Sequence, residues 1–186
     1  LLVSCGEVSV AIRFDSLTSG QVTLSYLVLP EFSGVGGRVH PLGWPVGQAE
    51  WAAFASRIQG VTLVSQNVVE EGLGNRVTGV LRFANLLALE GISVQLGQRL
   101  TVIPVQNVYT MTFNYQVPDT SAFGERARSL ATVYLQGSSI SWSVQTPRLL
   151  REATRGTVGA DNRSFSFSDD FSSILQNAAP PIRAQW

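Results

Sequence analysis

The sequence contains no lysine: all thirteen basic residues are arginine, and thirteen acidic residues balance them. That absence excludes Schiff-base chemistry, a P-loop lysine and a Ser–Lys dyad. The charge balance removes the basic excess that usually marks a nucleic-acid binder, so no nucleic-acid partner is expected. The chain also has a single cysteine, Cys5, and a single histidine, His40. One cysteine leaves nothing for an internal disulfide, and one Cys with one His cannot furnish a four-ligand zinc site. No apolar run reaches the roughly 20 residues that cross a bilayer as a helix. The nearest, "LLALEGISVQL", is short and carries Glu90. Charged residues make up 14% of the chain and hydrophobic residues 45%, a composition that builds a core. At 186 residues the chain is most simply one domain.

The residues that carry chemistry are scattered. His40 lies in "RVHPLGWP" with no adjacent carboxylate, and no "GxSxG" elbow supports it. A hydrolase using His40 is therefore only a third reading. The carboxylate pairs Glu70-Glu71 and Asp169-Asp170 are adjacent in sequence, and neighbours on a strand face opposite sides. "DNRSFSFSDD" has the oxygen ligands of a calcium site without an EF-hand spacing. The glycines of "SGVGG" do not join a strand to a helix as a phosphate cradle does. No catalytic residue, metal ligand or cofactor is assigned, and the expectation is a protein that is not an enzyme.

What is present is strand pattern. In "EVSVAIRFD", Val8, Val10, Ile12 and Phe14 alternate with Ser9, Ala11 and Arg13, and "QVTLSYLVLP" repeats the alternation after the turn "SLTSG". Residues 31–47, with five glycines and two prolines, predict a long loop. "QAEWAAFASRI" then places Trp51, Phe54, Ala55 and Ile58 at helical spacing. Strand, strand and helix recur in "VTLVSQNVV", "RVTGVLRFA" and "NLLALEG", the last with Asn85 as N-cap. The order recurs again in "RLTVIPV", "NVYTMTFNYQV" and a helix over "TSAFGERARSLATVYLQG". "SSISWSVQT", a hairpin joined at "GADN" and a short edge strand in "PPIRAQW" complete the chain. The predicted class is α+β: an antiparallel β-sheet, flat or barrel-like, with two or three helices packed on one face.

Cys5 sits in "LVSC", which resembles a bacterial lipobox: aliphatic Leu2, Val3, small Ser4, then the cysteine to be acylated. On that reading residues 1–4 are the remnant of a signal peptide and 5–186 a single extracytoplasmic domain. The alternative is a small buried cysteine opening a strand. Two or more acyl chains give a stable anchor where one gives only marginal attachment. Apolar groups of the long loop and first helix, Val35, Val39, Leu42, Trp44, Trp51 and Phe54, are the predicted ligand-binding set. They suit the cover of a hydrophobic pocket or contact with a membrane surface.

Behind the cysteine, "VSVAIRFDSLTSGQVTLSYLV" resembles the opening of LppM-type bacterial lipoproteins, and "FANLLALEG", "SSISWSVQTP" and the final hairpin are loosely similar to segments of that group. The resemblance implies an α+β or barrel-like extracytoplasmic domain with an apolar cavity, in a group associated with lipid or glycolipid handling. The C-terminal transmembrane helix of some such proteins has no counterpart in the sequence. Taken together, the expectation is a lipoprotein anchored in the bacterial cell envelope that binds a lipid or glycolipid without catalysis. The alternative is an envelope scaffold that binds a protein partner through strand edges or the 31–47 loop.

Overall fold

In the computed structural model the described residues are 7–28, 44–72, 74–115, 137–175 and 179–186. Cys5, Val35, Val39, His40 and Leu42 lie outside them, as does the expected helix over 120–137 except for its closing Gly137.

Alternation becomes strand wherever one face is covered. β1 (Glu7–Phe14) and β2 (Gly20–Val28) bury every second residue, from Val8 to Phe14 and from Val22 to Val28. They form the predicted hairpin, with Val10 opposite Leu24. β3 (Val61–Glu71) and β4 (Gly74–Phe83) form a second hairpin, and β4 docks against β2. The other side of β1 pairs with β7 (Ser139–Gln145) in parallel, Val10 opposite Trp142. β10 (Ser164–Asp170) follows antiparallel to β7, and the two-residue β9 (Thr157–Val158) closes the row. The result is a seven-stranded sheet in the order β3-β4-β2-β1-β7-β10-β9.

A second sheet holds β5 (Gln98–Val105), β6 (Val108–Tyr115), β11 (Ile182–Gln185) and β8 (Glu152–Ala153) in the order β5-β6-β11-β8. Its inner residues Leu100, Val102, Met111, Phe113, Ile182 and Ala184 join the core formed by Val8, Val10, Ile12, Trp142 and Phe167. The class is α+β as predicted, divided over two sheets, and among the described residues neither sheet closes into a barrel. One further detail is corrected. "PPIRAQW" supplies an interior strand between β6 and β8, because Ile182 and Ala184 are buried and both edges of β11 are paired.

α1 (Gln48–Ser56) starts where Glu50 accepts the backbone N–H groups of Val46 and Gly47, and it packs on β3. α2 (Leu86–Gln95) is capped by Asn85, whose side chain accepts from the Ala88 N–H at 2.9 Å. It lies mainly against β5. α3 (Phe171–Leu175) is a single turn after β10.

One segment stitches the sheets together. Thr154 donates from its backbone to Arg183 in the second sheet, and three residues later Thr157 pairs with Ser166 in the first. The corner between them is Gly156, at φ +97°, where a β-carbon would run into the Ser166 carbonyl. Only glycine fits there without strain.

Candidate functional site: a polar cluster between the sheets

Register brings several strand ends to one place. Glu7 lies opposite Ser139, Asp170 pairs with Ser139 from the other side, and Val28 ends β2 beside Asn75. Tyr115, the last residue of β6, reaches the neighbouring Asp169. The chain therefore leaves the described framework after Val28 and after Tyr115, and re-enters it before β7, all at the end of the fold marked by Glu7.

Five polar residues meet at this end. Asp169 continues the inward row Phe165, Phe167 of β10 and is only 8% exposed. Its Oδ2 accepts the Tyr115 hydroxyl proton at 2.9 Å, and its Oδ1 takes an ion pair from Arg155 at the corner before Gly156. Asp170, one residue on, is exposed, so the two adjacent carboxylates do face opposite sides. Gln98 is the register partner of Tyr115 and is 4% exposed. Trp142 is 3% exposed and packs on Phe113 with ring centroids 4.4 Å apart. Two buried atoms here make no hydrogen bond, Gln98 Oε1 and Trp142 Nε1. Trp51 Nε1 and Trp186 Nε1 are likewise unpartnered elsewhere in the core.

Burial pushes the Tyr115 pKa far above its ordinary value of 10.0, and the Asp169 carboxylate adds to the shift. Tyr26 is raised as strongly, first by burial and then by Glu50. A phenol whose folded pKa is raised favours the folded state below pH ~10 and loses that contribution as pH climbs past it. Of the four tyrosines, Tyr26 and Tyr115 are expected to stay un-ionised in an ultraviolet alkaline titration until the protein unfolds. Ionisation of both in the folded state would contradict the burial.

Across the exposed side of β7, β10 and β9 runs an open groove of about 390 Å³, lined by Ser141, Trp142, Arg155, Gly156, Thr157, Ser166, Phe167 and Ser168. Ser141, Ser166 and Ser168 of that wall stand at exposed strand positions, and the buried Trp142 and Phe167 alternate with them toward the inner face. In "SSISWSVQT" the sequence alternates Ile140, Trp142 and Val144 with serines, which marks one face of a strand. It does not place Gln98, Arg155 or Tyr115 beside Asp169, because strand register and the Gly156 corner create that juxtaposition.

The described members of the apolar set lie elsewhere and are packed. Trp44 sits edge-on to Tyr26 at 5.3 Å, and Trp51 tilts against Phe54 at 5.9 Å. Trp44, Trp51 and Phe54 are all buried. The Tyr26 hydroxyl donates to the Pro45 carbonyl, which holds this corner of the core against β2. Among the described residues no three His, Cys, Asp or Glu side chains are grouped to hold a metal ion. No helix among them is long and apolar enough to cross a membrane.

No protein-family profile matches the chain, and no curated protein does. A solved structure does: the folded domain of Mycobacterium tuberculosis LppM, determined by NMR. The TM-score is 0.60 over 97% of this chain and 88% of that one, at 11% sequence identity. What the two chains share at that identity is architecture, and this chain has the fold of the LppM folded domain.

Proposed function

We propose that the chain is a lipid-anchored lipoprotein of the bacterial cell envelope, tethered through Cys5, that binds an apolar lipid-type ligand without catalysing a reaction on it. The observation that carries this reading is the inter-sheet polar cluster at the Glu7 end. Cys5 precedes Glu7 by two residues, so an anchor there turns this end of the fold toward the membrane, the source of such a ligand. An amphiphile needs a few placed polar groups beside apolar walls, and Trp142, Phe113 and Phe167 supply the walls. The LppM fold supports the same reading.

The test is the intact mass and detergent partitioning of the protein from cells, beside a Cys5→Ala variant. Wild-type protein should begin at Cys5, carry acyl mass and enter detergent, and the variant should do none of these. Unmodified, aqueous wild-type protein would overturn the anchor. Native mass spectrometry of the same preparation should show a non-covalent lipid-sized adduct.

A second reading, an envelope scaffold, is favoured by β3. This eleven-residue strand forms one edge of the large sheet and exposes Val64, Val68 and Val69. Long apolar edges of this kind invite pairing with another chain. A stoichiometric protein partner in place of the lipid adduct would put that reading first.

A further inference from the structure

We infer that the outer face of the four-stranded sheet, with the tip of the β5–β6 hairpin at its end, docks on an anionic lipid bilayer. This contact is separate from the acyl group proposed at Cys5 and does not need it.

Strand alternation decides what the face carries. Gln98, Leu100 and Val102 of β5 are buried, so Arg99, Thr101, Ile103 and Val105 stand on the other side. Register sets Thr110 opposite Ile103 and Val108 opposite Val105 on β6, and Arg183 of β11 beside Thr112. Ile103 and Val105 are more than half exposed, as is Leu149 in the segment after β7. Arg148 joins that segment to the hairpin, its Nη1 donating to the Asn107 carbonyl at 3.0 Å. The turn is tight: Gln106 and Asn107 have φ of 46° and 67°, the geometry of a two-residue hairpin loop. The apolar tip is therefore held in place before anything binds it, which lowers the ordering cost of binding.

A partner that pairs through its backbone is disfavoured along β5. The Leu100 N–H goes to Ser93 Oγ at 3.1 Å and the Val102 N–H to Glu90 Oε1 at 3.3 Å, both on α2, and Pro104 has none to give. Side chains are what remains to be recognised, and their charge is one-sided. Arg99, Arg148, Arg151 and Arg183 are exposed, and none forms an ion pair among the described residues. Arg151 is fixed beside β11 by its backbone N–H, which the Gln185 carbonyl accepts at 2.8 Å. Among the described residues, Glu152 opposite Gln185 is the one carboxylate at these outer strand positions. Guanidinium groups beside aliphatic tips match phosphate headgroups above acyl chains.

The test uses the purified full chain carrying Cys5→Ala, so that no acyl group contributes. It is sedimented with vesicles of phosphatidylcholine alone, or with about one-third phosphatidylglycerol. Binding to the anionic vesicles is expected to be about tenfold tighter or more, and to be lost at about 0.5 M salt. Arg151→Gln should weaken it about fivefold, and Val105→Asp should abolish it, each with an unchanged melting temperature. Val105→Trp supplies a reporter. Trp44, Trp51, Trp142 and Trp186 are buried, so quenching by brominated lipid should appear only in that variant. Docking of this kind is reversible and charge-driven, and it leaves the Cys5→Ala chain in the aqueous phase of a neutral detergent.

Equal binding to both vesicles, or to neither, overturns the proposal and leaves the Cys5 anchor, which acyl mass reads, untouched. Binding that survives both Arg151→Gln and Val105→Asp also overturns it, because another surface would then carry it. A stoichiometric protein crosslinked through position 105 in cells, with no lipid quenching of Val105→Trp, gives the face to a protein partner and overturns it too.

Discussion

Replacing Arg155 with alanine is expected to lower the unfolding free energy by about 3 kcal/mol, or roughly 6–12 °C in melting temperature. The loss does not come from the attraction of an ion pair as such. It comes from leaving Asp169, whose side chain is 7% exposed, with one neutral hydrogen bond and no counter-charge. The guanidinium itself is 27% exposed, so water can fill part of its place, which keeps the figure at the low end for a broken buried pair. Removing both partners in Arg155→Ala/Asp169→Leu should recover most of the loss, since the carboxylate that needed neutralising is gone. Urea unfolding of the two single variants and the double variant measures the coupling directly. A loss under 1 kcal/mol for Arg155→Ala would show that the corner is held by its backbone bonds and Gly156 alone.

The other large effect concerns the first helix. Trp51 is fully buried, and its six-membered ring lies over Gly79 of β4, where a β-carbon would collide with it. Trp51→Ala should cost about 3–5 kcal/mol, because the cavity left between α1 and the sheet is large and rigidly walled. Gly79→Ala should cost about 1–3 kcal/mol by driving the indole off its position. The informative measurement is the pair. In the Trp51→Ala background the Gly79→Ala change should be nearly neutral, since the methyl group would enter the space the indole vacated. Additive losses would mean that Gly79 is required for its backbone and not for the space above it. Near-complete dependence would establish Trp51 as a packing element.

Those two corners differ in how far the sequence betrays them. The strands β1, β2, β7 and β10 are legible because each buries alternate residues, and Trp51, Phe54 and Ala55 announce α1 by spacing. Asn85 is readable as a cap for the same local reason. Three features are not local. The division into two sheets depends on β6 turning to pair with Ile182–Gln185 at the far end of the chain. The segment read as one arm of the last hairpin is split, Glu152–Ala153 serving one sheet and Thr157–Val158 the other. The site is the least legible of all. Gln98 looks like the polar start of an ordinary strand, Arg155 like a loop charge and Asp169 like half of an acidic pair. Only the register that sets Gln98 against Tyr115, and the corner at Gly156, make them neighbours. The fold comparison settles architecture and leaves these contacts as the chain's own.

The parallel partnership of β1 with β7 also governs how the polypeptide comes to life. The strand nearest the N-terminus is central in the large sheet, flanked on one side by its immediate successor and on the other by residues more than 120 positions later. A growing chain can close the first hairpin early, but it holds an open, apolar strand edge until Ser139–Gln145 emerges. Closing so long a loop is slow, and topologies rich in such pairings assemble in milliseconds to seconds, where local ones need microseconds. For the whole of that interval Val8, Val10, Ile12 and Phe14 lack half of their cover. Aggregation in this protein should therefore be decided at β1 and during synthesis, well before the mature fold is tested.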